Sequence, residues 1–440
     1  MKNILILIAL VFVTTSSIFS QTRIIRGTIV DKVSSEPLSF ASIAIKNTSN
    51  GTFSNDEGIF ELKVKEANAV VQISYIGYKD YEFSIEADQE VYNIFLEAYE
   101  VQLDEVVVRP HEAIYYIKKA IENHPNTITA KAFETRSFYS EKSSLVNDKS
   151  DSYKMDEAVF VSYFPDFSID TIESQNRLVL HEFTEQGEFE SILLENRKLN
   201  KRIAKAEKRE AKRKAKQKAE NVPAIDTLTT KDDEDLLADS ENVNVNIGNM
   251  LGGPSYLLGK TQDILSSAFF KTDKLKKFRY SFAPNTTYEG RTLMAIDFYN
   301  KKKIEFTYYK GTIYLDYETL AIVSVDFTAT AKIPFYINAL IKGIAGFKLN
   351  KVYYDARIRN QTIDGKIYPK QSRVKVQIDL ESDKRIENIA VRSVLNVDDI
   401  NLTNAKPINP EHIFDSELEM GDQIFNLENL KWDDVGKVEY

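Results

Sequence analysis

From Arg26 to Val64 the chain reads RGTIVDKVSSEPLSFASIAIKNTSNGTFSNDEGIFELKV. It alternates apolar and polar residues, breaks at turn residues and alternates again, the pattern of short, half-buried strands. Ile24 to Val30 predicts a first strand, and Pro37 turns the chain into FASIAIK at 40–46. Asn50-Gly51 suits a type I′ hairpin, since both residues accept positive φ, and Asp56-Glu57-Gly58 closes the next turn. IFELKV at 59–64, VVQISYIGY at 70–78, YEFSI at 81–85 and VYNIFLEA at 91–98 continue the series. Six or seven strands in so short a stretch predict a two-sheet β-sandwich over residues 22–98.

The pattern then changes. VQLDEVVVRP closes a linker assigned to 99–110, and HEAIYYIKKAIENH sets Ile114, Ile117 and Ile121 at helical spacing with Lys118 and Lys119 toward solvent. Pro110 suits a first helical turn. NTITAKAFETRSFYSEKS, AVFVSYF and RLVLHEF read as strands, so residues 111–196 are expected to hold a helix and the first strands of a second domain. After a charged interruption at 197–245, residues 246–440 are assigned to a meander with a C-terminal tail, and alternation returns and is sustained from Lys277. FRYSF places Phe278, Tyr280 and Phe282 on one face, and LMAIDF does the same with Met294, Ile296 and Phe298. GTIYLDY, AIVSVDF, KVYYDARI and RVKVQIDL follow, with Gly290, Gly311 and Asp364-Gly365 at turns. Short connections between consecutive strands predict an antiparallel meander, a large curved sheet or incomplete barrel. IPFYINALIKGIAGF at 333–347 predicts a short helix over the sheet, either plain core or a lipid-contacting lid. Beyond Thr403 the chain turns loop-rich around Pro407 and Pro410, then acidic and partly helical.

Composition supports a mainly β protein. Tyr (23) and Phe (25) dominate the aromatic set beside a single Trp, and they favour pleated surfaces. A length of 440 residues is enough for two or three domains. Cysteine is absent, which removes disulfides, thiolate metal sites, a cysteine nucleophile and lipidation of an N-terminal Cys. A net charge of −9 argues against nucleic acid as a partner. Within it, Arg197 to Lys218 carries twelve Lys and Arg against Glu207 and Glu210, and Val222 to Glu241 is acidic. This insertion reads as a solvated helix or disordered arm. It is neutralised in part by its neighbour or held against anionic headgroups or a partner's acidic face. Residues 1–20 begin with Lys2, run apolar from Ile4 to Val13 and end in TTSSIFS, the form of a secretory signal peptide cleaved between Ser20 and Gln21. No later segment reaches the length of a spanning helix. The expected location is therefore exported: periplasmic, outer-membrane-associated or secreted.

GTIVD, the turn before EPLSFASIAIK, NGTFSNDEGIFEL and the closing VQISYIGYK together resemble the carboxypeptidase-regulatory-like domain of exported Bacteroidetes proteins. The resemblance implies a transthyretin-like sandwich and no peptidase activity, the domain being an accessory one without metal ligands. No histidine lies between residues 22 and 98, in agreement. LDEVVV resembles the segment that follows this domain in large outer-membrane receptors. The remaining residues lack the long series of lipid-facing strands that a barrel needs. The order of linker, helix with KKAIEN, then FYSEK is similar to Bacteroidetes envelope proteins that pair this domain with a region of unknown function. GTIYLDYETLAIVSVDF and DGKIYPK resemble periplasmic lipoprotein-carrier half-barrels.

Reactive chemistry is sparse. GPSYLLGKT at Gly253 to Thr261 has one residue too many, Pro254 among them, for a phosphate loop. His111-Glu112 and His181-Glu182 each lack a second His at helical spacing, and His124 and His412 are isolated, so a satisfied surface or core role is preferred to zinc for each. There is no G-x-S-x-G elbow, and no pair among the many carboxylates stands out for glycoside hydrolysis. No catalytic, cofactor or metal residue is expected. The leading expectation is a non-enzymatic envelope protein that binds a partner or apolar ligand through sheet faces and edges. A lipid or lipoprotein carrier is the alternative, and a peptide or glycan hydrolase the third.

Overall fold

The structure, a computed structural model, describes residues 23–46, 48, 51–64, 69–86, 88–99, 110–129, 131–146, 152–165, 175–187, 191, 257, 265, 267–304, 306–415 and 420–432. The expected signal peptide with its Ser20–Gln21 cleavage, linker residues 100–109, the charged insertion at 197–245, and all of Gly253 to Thr261 but Leu257 lie outside the described residues. The described chain forms two compact units, 23–99 and 110–432.

The first unit has seven strands: β1 (Arg23–Asp31), β2 (Ser42–Ile45), β3 (Gly51–Phe53), β4 (Ile59–Val64), β5 (Val70–Ser74), β6 (Tyr81–Ser84) and β7 (Val91–Leu96). They make a three-stranded sheet, β4-β1-β7, and a four-stranded sheet, β3-β2-β5-β6. Alternate residues of both sheets, among them Ile25, Ile29, Ile43, Leu62, Val71, Ile73 and Ile94, meet in one apolar cluster, so the expected sandwich is present. Its turns follow the local chemistry. Asn55 Oδ1 accepts from the backbone N–H groups of Glu57 and Ile59, and Gly58 takes the left-handed conformation at φ +75°. A hairpin does join β2 to β3, but Gly51 is the first residue of β3, paired with Ala44 and without the positive φ that a type I′ turn at Asn50-Gly51 requires, because the connection is longer than two residues; Asn50 itself lies outside the described residues.

The second unit opens with α1 (Ala113–Thr127). It starts after Glu112 rather than near Pro110, and it carries Pro125 in its last turn. Ile117 and Ala120 are buried, while Lys118 and Lys119 are exposed, as the spacing predicts. Strands follow as β8 (Phe133–Leu145), β9 (Tyr153–Phe164), β10 (Gln175–Gln186), β11 (Phe278–Phe282), β12 (Thr286–Tyr288), β13 (Arg291–Asn300), β14 (Thr307–Asp316), β15 (Ile322–Lys332), β16 (Phe347–Ile363), β17 (Lys366–Ser382) and β18 (Ile386–Asn401). A second helix, α2 (Phe335–Ala345), lies between β15 and β16 and ends on Gly346 at φ +82°.

All eleven strands form one antiparallel sheet in the order β10-β9-β8-β18-β17-β16-β15-β14-β13-β11, with β12 also paired to β13. The sheet is open, β10 and β11 standing at its two ends. The expected mainly β fold is thus the observed one. Two strands go beyond the sequence expectation: the three-residue β12, and β18, whose IENIAVRSVLNVDDIN lacks clean alternation because Asn396, Val397 and Asp398 are all buried in succession. Strand β18 joins the two halves of the sheet, pairing with β17 on one side and β8 on the other.

The closest backbone approach in the sandwich is at Gly27 on the central strand β1. A Cβ there would stand 2.0 Å from the Tyr92 carbonyl oxygen and 2.7 Å from the Phe60 ring. Gly27→Ala is therefore expected to destabilise this unit by roughly 1–3 kcal/mol. Hydrogen exchange of the β1 amides in the whole chain checks this, and unchanged protection would refute the close approach.

Candidate functional site

Three features of the large sheet are candidates: its apolar face, a polar row on that face, and a cleft at one set of turns. The apolar face is continuous. Tyr139, Phe160, Ile296, Phe298, Val325, Ala356, Ile358, Val376 and Leu395 belong to one buried cluster, so it runs from β9 across to β13. Three pieces of the chain pack onto it. From α1 come Ala113, Ile117 and Ala120, with Tyr116 edge-on to Phe282 at 5.6 Å. The segment before β11 contributes Phe269 and Phe270. Phe269 lies 4.4 Å from the Phe298 ring and 5.0 Å from that of Phe327, and its carbonyl accepts a 2.6 Å bond from the Tyr280 hydroxyl. From α2 comes Ile341, and the buried Asn338 holds the helix in place by accepting from the Leu349 backbone N–H at 2.8 Å. Near β9, Phe414 lies edge-on to Phe160 at 5.1 Å. The protein's own side chains thus fill this face.

Of the two readings of 333–347, plain core holds for one side of helix α2. Ile341 and Asn338 are core, whereas Phe335 and Tyr336 at the start of the helix are 85% and 55% exposed.

On the same face, toward the β10 end, the apolar cluster gives way to polar residues. Glu141 Oε2 accepts from the Tyr139 hydroxyl at 2.6 Å and from Ser393 Oγ at 3.0 Å. Glu141 stands opposite Asp156 in the β8–β9 register, and Asp156 Oδ1 lies 2.9 Å from His181 Nε2 on β10. Burial pushes the Glu141 carboxyl up to about 7, against the two hydrogen bonds, which favour its charged form; the negative charge of Asp156 adds to the rise. A carboxylic acid that titrates near neutrality can hold or release a proton. FYSEK contains both Tyr139 and Glu141, but nothing in the sequence reveals that Ser393, Asp156 and His181 gather beside them.

On the opposite face, Arg359 is buried and donates to both carboxylate oxygens of Asp326 and to Ser324 Oγ, while Lys370 pairs with Glu289. Burial alone would pull both cations down, and their anionic surroundings outweigh it. Burial raises the nearby Tyr288 and Tyr314 hydroxyls to about 12. Opposite charges are matched here, the usual condition for ions to persist inside a protein.

The cleft, about 530 Å³, is lined by Asn285, Gly290, Arg291, Thr292, Asp316, Tyr317, Glu318 and Thr319. Its most buried acid, Asp316, already accepts from the backbone N–H groups of Glu318 and Thr319 and from the Thr319 hydroxyl, and so builds the turn rather than awaiting a ligand.

The four histidines occupy separate elements. His111 stacks on Tyr115 at 3.9 Å, His124 lies in the last turn of α1, His181 meets Asp156, and His412 stacks on Phe425 at 4.4 Å. Among the described residues no three His, Asp or Glu side chains form a group able to hold a metal. No helix of the described residues is long and apolar enough to cross a membrane.

These features define a mainly β protein of two units, a sandwich and an open antiparallel sheet with one filled face. Residues 25–108 match the family model of the CarboxypepD_reg-like domain, so the N-terminal unit is a domain of this non-catalytic regulatory kind. Over the N-terminal region the chain is similar to TonB-dependent receptors. It is 35% identical over 107 residues to the receptor SusC of Bacteroides thetaiotaomicron, covering 24% of this chain and 10% of the receptor. It is 27% identical over 89 residues to receptor P3 of Formosa agariphila, covering 20% and 9%. The chain thus spans about a tenth of the curated relatives it matches. Among solved structures, a DUF1329 family protein from Desulfovibrio piger is 8% identical over 68% of this chain and 96% of its own, with a TM-score of 0.23. A lipovitellin structure concerned with lipid–protein interactions is 8% identical over 64% and 26%, with a TM-score of 0.25. At those scores neither likeness bears on fold or ligand.

Because Glu141 binds its proton more tightly when folded than at the ordinary value of 4.5, its contribution to stability is fully present below about 4.5 and is lost as the pH rises through about 7. Glu141→Gln should therefore gain roughly 2–3 kcal/mol relative to the parent between about pH 4.5 and 8. Urea unfolding of both proteins across that range measures the difference. A constant difference would show that the carboxyl is not held protonated.

Proposed function

We propose that the protein is an exported, non-catalytic envelope module. In this reading residues 1–20 direct export with cleavage between Ser20 and Gln21, residues 22–98 form an accessory sandwich, and the sheet domain beyond the 99–110 linker binds a partner protein. The observation that carries it is the filled apolar face: α1, Phe269, Phe270, Ile341 and Phe414 occupy the surface that a lipid carrier would keep for cargo. Recognition then falls to sheet edges and exposed ends. The β10 edge is already engaged, since its Asn176 and Leu178 carbonyls accept from the backbone N–H groups of Phe414 and Phe425. The match of residues 25–108 to a domain shared with envelope receptors supports the compartment.

Native mass spectrometry of the protein purified from cell envelopes tests this reading. A partner protein should be retained, and the chain's own mass should carry no stoichiometric lipid. One lipid held per chain through gentle activation would overturn the reading in favour of a carrier, which would require α2 to leave the face it now covers.

A further inference from the structure

The connections between alternate strands bring one end of the large sheet together. The β13–β14 turn, helix α2 and the β17–β18 turn all lie there. Thr307 stands opposite Ala331, and Phe347 opposite Ser382, in the strand registers. Contacts tie these pieces to one another. The Phe306 and Tyr336 rings are 6.5 Å apart, Phe335 and Tyr336 are 5.8 Å apart, and Lys342 of α2 meets Asp383 of the β17–β18 turn at 2.5 Å.

This end is apolar where it is most exposed. Phe335 is 85% exposed, Ile386 76%, Tyr336 55% and Phe306 39%. Large apolar side chains gathered at a tip are unfavourable in water and mark a surface with an occupant. The charge around them identifies it. The β13–β14 turn reads NKKKIEF, with three consecutive exposed lysines, Lys301, Lys302 and Lys303, against one glutamate. Lys303 Nζ lies 5.7 Å from the centre of the half-exposed Tyr308 ring. Lys332 and Lys384 are exposed on the neighbouring strand end and turn, and the acid of that turn, Asp383, is neutralised by Lys342.

Aromatic and branched side chains at the outermost points, with lysines set close behind them, match the layering of a bilayer interface. Rings sit at headgroup depth and ammonium groups meet anionic lipid. We propose that this end of the sheet docks on the surface of an anionic membrane, inserting Phe335, Tyr336 and Ile386 into the headgroup layer while Lys301 to Lys303 contact lipid phosphates. Docking of this kind goes beyond the partner-binding reading, which stands or falls separately. β10 ends at Gln186 on the same end, and the sequence runs on from there toward the basic stretch 197–218, so the two sources of lipid affinity must be separated.

The experiment is co-sedimentation of the full chain from Gln21 onward with vesicles of phosphatidylethanolamine and phosphatidylglycerol, and with vesicles of phosphatidylcholine alone. The protein should sediment with the anionic vesicles and much less with the neutral ones. Phe335→Ser with Tyr336→Ser should weaken binding about tenfold or more. Lys301→Gln, Lys302→Gln and Lys303→Gln together should weaken it by a similar factor and flatten its salt dependence. Phe335→Trp should give an emission blue shift on the anionic vesicles, over and above the signal of Trp432. All these positions are exposed, so the circular dichroism and melting of the variants should match the parent. Equal binding to both vesicle types, no binding to either, or an unshifted emission from the Phe335→Trp protein would overturn the proposal. So would parental binding of the Phe335→Ser, Tyr336→Ser protein with affinity lost only when residues 197–218 are deleted.

Discussion

The large sheet depends on the pairing of β8 with β18, which brings residues 133–145 against 386–401. Without that ladder, β8–β10 would be a three-stranded meander and β11–β18 a separate one, each with an apolar face open to water. Side chains lock the register where the backbone has a bulge. Arg136 Nε reaches both oxygens of the buried Asp398, at 3.1 and 3.0 Å, and Ser393 donates to Glu141. Burial pushes the Asp398 carboxyl up to about 6 in spite of Arg136, which shows how enclosed this junction is. Strands so distant in sequence meet only after a long loop is closed, so this ladder is expected to form late in folding.

The two faces of the sheet follow from that junction and divide its work. One face is a single apolar cluster roofed by α1, Phe269–Phe270 and α2. The other holds ion pairs, Arg359 with Asp326 and Lys370 with Glu289, whose charges are balanced within the fold. Removing one member of such a pair commonly costs about 3–5 kcal/mol, because its partner stays buried without compensation. With the apolar face filled, the surfaces left to meet other molecules are the polar face, where Asp297 and Tyr299 are exposed, and the ends and edges. The β10 edge is lined by the C-terminal segment, and the end bearing α2 exposes Phe335, Tyr336 and Phe306.

Much of this architecture was legible residue by residue. IFELKV and FRYSF coincide with β4 and β11, and Met294, Ile296 and Phe298 lie on the buried face, because a strand with one face in the core must alternate. β18 escaped because a strand covered on both faces loses that alternation. Phe269 and Phe270 carry no periodic signal, and their role as a hub beneath Phe298 and Phe327 comes from neighbours on β13 and β15. Of the polar row, Tyr139 and Glu141 are two residues apart in one strand, whereas Asp156, His181 and Ser393 reach them from three other strands.

The amino-acid sequence by itself determined the strand-rich class, the N-terminal sandwich with its turn at Asp56 to Gly58, and the two helices, since these rest on interactions between residues close along the chain. Only the tertiary structure decided that β18 joins two distant meanders, that the apolar face is filled, that Glu141 is held near neutrality, and that Phe335, Tyr336 and Ile386 share one exposed end with the lysines of the β13–β14 turn. Each of these depends on packing and burial among residues dozens to hundreds of positions apart. Local periodicity carries no record of which partner a strand will find or which side chains will be left at the surface.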